Sequence, residues 1–65
     1  MDIRDFTITV WTEDGHVGSR DVVDNVRDAA RRFCDLRLDW KLSGIHGRMV
    51  LTDAEDGATI LKARF

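Results

Sequence analysis

Two spacings of apolar residues divide the chain. From Asp21 to Leu36 (DVVDNVRDAARRFCDL), Val22, Val26, Ala29, Ala30, Phe33 and Leu36 recur three and four residues apart. At about 100° per residue they fall on one stripe of a helix. Val23 and Cys34 flank the stripe, while Asp24, Asn25, Arg27, Asp28, Arg31, Arg32 and Asp35 take the opposite side. Ser19 or Asp21 is the expected N-cap, its oxygen accepting from an unpaired backbone N–H. Asp21 and Asp24 suit the positive end of the helix dipole; Arg31, Arg32 and Arg37 suit the negative end.

Elsewhere the period is two. Asp5 to Thr12 (DFTITVWT) sends Phe6, Ile8 and Val10 to one side and Thr7, Thr9 and Trp11 to the other, as a strand does. Glu13-Asp14-Gly15 reads as a turn, and His16 to Arg20 as a short return strand in which Gly18 could mark a bulge. Arg37 to Ser43 (RLDWKLS) alternates with Leu38, Trp40 and Leu42 on one side. After the loop Gly44-Ile45-His46-Gly47, Arg48 to Thr52 alternates again. Asp53 to Gly57 (DAEDG) is a second turn, and Ala58 to Phe65 the last strand.

These elements predict an α+β fold: one helix packed on a mainly antiparallel sheet of four to five strands, in the order β(β)αβββ. The 65 residues suit a single domain spanning 1–65. One sheet face is expected to take the helix, and nothing in the chain is left to cover the other. That other face would carry Thr7, Thr9, Trp11, Asp39, Lys41, Val50, Ile60, Lys62 and Arg64. Apolar residues ringed by Lys and Arg resemble an interface core with a polar rim. The candidate partner-binding surface is therefore Trp11, Val50, Ile60, Lys62 and Arg64, or else the acidic turn residues Glu13, Asp14, Glu55 and Asp56.

Charge narrows the partner. The net charge is −2 with both signs interspersed, so neither the basic character that argues for nucleic acid nor the acidic run that argues for mimicry of it is present. A small nucleic-acid binder using Arg20, Arg27, Arg31, Arg48 and Arg64 is the alternative reading. No apolar run reaches the length of a membrane span, and MDIRDF lacks the apolar core of a signal peptide, so a cytoplasmic chain is expected. A single cysteine, Cys34, excludes an internal disulfide and is expected to be a half-buried, inert thiol. A domain this small has a limited core, which leaves monomer and homodimer both open.

The chemistry of catalysis is missing. His16 and His46 stand in turns without a nucleophile at a telling spacing. Gly44-Ile45-His46-Gly47 has the glycines of a KH-type loop but lies between two strands, and that module sets it between helices. Asp53-Ala54-Glu55-Asp56-Gly57 lacks the spacing of a calcium loop. No enzyme, cofactor or metal is expected.

The small size, the β(β)αβββ plan and the ending LTDAEDGATILKARF, a strand, an EDG turn and a strand, resemble some small phage-encoded anti-CRISPR proteins. Those inhibitors bind and block a bacterial CRISPR effector complex. The resemblance implies a stoichiometric protein-binding inhibitor in the bacterial cytoplasm and assigns no residue a role.

Overall fold

The computed structural model describes residues 2–65. The element order is β1 (Arg4–Thr12), β2 (Val17–Asp24), α1 (Val26–Ser43), β3 (Gly47–Asp53) and β4 (Thr59–Arg64). The strands form one antiparallel sheet in the order β2-β1-β3-β4, with α1 packed across one face. The fold is α+β in the plan ββαββ: two strands follow the helix, rather than the three expected.

Strand alternation builds the core. Phe6, Ile8 and Val10 of β1 are buried beneath α1. Their directly paired neighbours on either side are Val22 of β2 and Leu51 and Met49 of β3, which are buried with them. From α1, Ala29 and Phe33 complete the cluster, with Leu36 and Trp40 half-buried against it. Residues 29, 33, 36 and 40 form a single stripe at helical spacing. Burying a side chain such as Phe33 contributes roughly 1.5–3 kcal/mol.

The helix is displaced from its expected place. Asp21 to Asp24 belong to β2, where Val22 pairs with Phe6. The N-cap is Asn25, not Ser19 or Asp21. Its side-chain oxygen accepts from Asp28 N at 2.9 Å, and its amide donates to Asp28 Oδ2 at 3.0 Å. Both ends of this short loop are thus held by the cap. At the other end no Gly or Pro interrupts the chain until Gly44, which takes φ +79° and donates its N–H to Lys41 O. A left-handed glycine ends helices in this way. Arg37 to Ser43 is therefore helix, not strand.

Three consequences correct the expected faces. Leu38 and Leu42 lie off the stripe at 54% and 77% exposure, so only Trp40 of that trio packs, stacking on Phe65 with centroids 5.5 Å apart. Asp39 and Lys41 belong to the helix and leave the open sheet face. Cys34, expected to be half-buried, is exposed. The strand at His16 extends to Asp24, and Gly18 pairs regularly with Val10; the irregularity in the sheet falls instead between β3 and β4, at Leu51/Thr52.

The candidate binding face of the sheet

Register determines what the uncovered face displays. Trp11 lies between Val17 and Arg48, and Arg48 pairs onward with Arg64. In the next row of this face, Ser19, Thr9, Val50 and Lys62 are neighbours. Asp21, Thr7 and Thr52 make the third row, and Val23 and Asp5 pair beyond it. Directly opposed side chains on one face stand close enough to touch. The face is consequently polarised: Arg48, Lys62 and Arg64 gather on β3 and β4, whereas Asp5 and Asp21 lie on β1 and β2.

At one end of the face, beside the β1–β2 turn, stands an aromatic–guanidinium pair. The Arg48 guanidinium lies over the Trp11 ring, 4.6 Å from the centroid. Trp11 is half-buried although no second layer covers this face among the described residues, and the Arg48 contact covers part of its ring. Cation–π attraction at an exposed site contributes about 0.5–1 kcal/mol. Val50 lies half-buried in the adjoining row.

Four of the sequence-derived residues, Trp11, Val50, Lys62 and Arg64, are brought together on this face. Ile60 is not. The shift at Leu51/Thr52 leaves Ile60 as an extra residue in β4, since Leu51 pairs with Leu61 but Thr52 with Thr59. A bulge reverses the alternation locally. Ile60 instead lines a cleft of about 500 Å³ with Phe6, Val26, Arg4 and Asp53, on the helix side. Arg48, absent from the expected protein-binding set and expected only in the nucleic-acid alternative, covers Trp11 at one end of this face. Its pairing with Trp11 was accessible only through register.

The acidic turns lie at opposite ends of the sheet and do not form one surface. Glu13 and Asp14 follow β1, with Glu13 N donating to His46 O at 2.9 Å. Glu55 and Asp56 follow β3, near the start of β1, where Ala54 N donates to Asp5 O at 3.0 Å. Asp14 accepts from the Thr12 hydroxyl and from His16 N, and these bonds, the Thr12 bond foremost, hold its carboxyl below the usual aspartate value.

One carboxylate was missed in the sequence. Asp53 continues the inward series Met49, Leu51 and is buried. It accepts from Arg4 Nη1 at 3.3 Å and from Glu55 N at 2.9 Å, so its charge is neutralised and bonded within the fold. Among the described residues no cluster of His, Cys, Asp and Glu has the makings of a metal site, and no helix is long and apolar enough to cross a membrane. The five arginines of the nucleic-acid reading divide between two sides. Arg48 and Arg64 are on the open face, Arg27 and Arg31 are on α1, and Arg20 faces the helix side of β2. No protein-family model matches the chain, and no curated protein or solved structure matches it either.

Proposed function

We propose that the chain is a non-catalytic protein-binding module whose open sheet face docks an acidic protein surface. The observation that carries this reading is the Arg48–Trp11 pair, set beside Val50, Lys62 and Arg64 on a face that no second layer covers among the described residues. Trp and Arg are enriched among residues that dominate binding energy, and a held guanidinium loses less freedom when a carboxylate approaches. The cations steer an acidic partner, while Trp11 and Val50 supply apolar contact. The resemblance to small anti-CRISPR proteins extends the proposal to a target class: a bacterial CRISPR effector complex, met in the cytoplasm.

The nucleic-acid alternative is less favoured by the division of its arginines between two sides. One experiment separates the two. The tagged chain is used to capture partners from its source lysate, with and without nuclease, beside Trp11→Ala and Arg64→Glu. A stoichiometric protein that survives nuclease and is lost with either variant supports the reading. Capture unaffected by both variants, or abolished by nuclease, overturns it.

A further inference from the structure

The two outer edges of the sheet differ. Thr12 N donates to His16 O at 3.0 Å, which fixes the phase of the β1–β2 ladder. Antiparallel pairing alternates, so Gly18, Arg20, Val22 and Asp24 turn their N–H and C=O groups towards β1. Val17, Ser19, Asp21 and Val23 turn theirs away, and among the described residues no strand meets them. On β4 the phase is set by the mutual bonds of Gly47 and Phe65, at 3.2 and 3.0 Å, so Lys62 and Arg64 turn outward. That edge is guarded. It carries Lys62, Arg64 and the irregularity at Leu51/Thr52, and Arg37 Nε donates to Arg64 O at 2.9 Å. Such devices keep edges from pairing. The outer edge of β2 has no lysine, no proline and no bulge.

We infer that β2 pairs with β2 of a second copy, antiparallel and centred on Arg20, joining two sheets into one of eight strands. This inference is independent of the open-face reading. The centre follows from self-complementarity. About Arg20, Val17 meets Val23 of the second copy and Ser19 meets its Asp21, each twice. All four outward residues then find partners, giving about eight backbone hydrogen bonds. Val17 and Val23, at 59% and 65% exposure, cover one another. His16 stands opposite Asp24 at both ends, an imidazole facing a carboxylate that can accept its N–H. A centre at Asp21 would set that carboxylate against itself. A centre at Val22 would leave Val17 unpaired.

Arg20 meets its own copy across the axis, but not in isolation. Arg32, Asp35 and Asp39 of α1 line the same groove as Arg20. Asp24, 3.7 Å from Arg32, lies there too, so each copy brings two cations and three carboxylates to the seam, and the facing arginines are offset.

Sedimentation equilibrium over a concentration series tests the inference. The expected mass approaches twice the 7.4 kDa of one chain as concentration rises. Ser19→Pro removes an outward N–H that β1 does not use, and should return the mass to that of one chain with an unchanged circular dichroism spectrum. If that variant fails to fold, the double variant Val17→Lys, Val23→Lys serves, since both side chains are exposed. In a Cys34→Ser background, Arg20→Cys should cross-link to its own copy on mild oxidation, as facing cysteines on paired strands do. A single-chain mass at every concentration overturns the inference. So does a double mass that survives the β2 variants, and cross-linking by Asp21→Cys in place of Arg20→Cys overturns the register.

Discussion

Gly47 is the position where the least added matter should do the most harm. It opens β3, pairs with Thr12 of β1 and exchanges hydrogen bonds with Phe65. A Cβ there would overlap the Trp11 carbonyl oxygen and stand 2.8 Å from Phe65 Cζ and 3.0 Å from Thr12 Cα. Two of the three obstacles are β1 backbone, which cannot rotate aside. Gly47→Ala must therefore push β3 away from β1, straining the Glu13–His46 bond and the two bonds to Phe65. Overpacking a filled site costs about 1–3 kcal/mol, and each weakened hydrogen bond about 1 kcal/mol. We expect a loss of about 3 kcal/mol, at the upper end of the overpacking range. A chain of 65 residues has total stability of roughly 3–10 kcal/mol, so the loss is a large share. It corresponds to a fall in Tm of roughly 12–24 °C. Urea unfolding followed by tryptophan fluorescence measures it, because Trp40 stacks on Phe65 beside the site. Phe65→Leu added to Gly47→Ala should not restore stability, since it relieves only the side-chain overlap. A midpoint unchanged in Gly47→Ala, or recovery in the double variant, would refute the reasoning.

Asn25→Ala should destabilise the chain by about 1 kcal/mol, read by the same urea titration, because it orphans Asp28 N; Asn25→Ser should retain most of the cap. Asp14 should titrate below the usual aspartate value when its carboxyl carbon is followed by NMR, and Thr12→Val should raise the midpoint by removing the foremost cause. Its folded value is depressed, so the linked stability is present above the usual value and is lost as pH falls through the lowered one. An Asp14 midpoint unmoved by Thr12→Val would show that the hydroxyl is not the cause.

The strands that were legible in sequence are those in which alternation and turn chemistry agree. Asp5–Thr12 and Arg48–Thr52 each lie beside a glycine that punctuates the chain, and both are strands. The helix boundaries failed where two patterns overlapped. Leu38, Trp40 and Leu42 alternate like a strand, yet Trp40 also continues Ala29, Phe33 and Leu36 at helical spacing. Length and the missing breaker decide between them: no Gly or Pro occurs from Asp21 until Gly44. Asn25 with Asp28 three residues later was a readable cap signal, and Val22-Val23 before it was a readable strand signal. The displacement of Ile60 was not readable, because a bulge is fixed by how β3 and β4 meet rather than by residue type. The Arg48–Trp11 contact was hidden for a similar reason. Its partners lie far apart in the chain, and only the β1–β3 register makes them neighbours.

Among the described residues a single layer of helix covers a single sheet, and this ties these features together. One helix of 18 residues, about 27 Å long, crosses all four strands on one side, so the inner face consumes the alternating apolar residues of every strand. What remains outside, among the described residues, is threonine, valine, aspartate and the cations, with Trp11 as the one large aromatic. A tryptophan with no layer above it keeps its ring exposed or finds cover within the sheet, and Arg48 provides that cover. The cover is a charged side chain rather than packed core, so a partner can share it without opening the fold. Stability and recognition are thereby assigned to opposite faces of the same strands. The bare edge of β2 follows the same division: its outward amides serve neither the core nor the open face, and pairing is the use left to them.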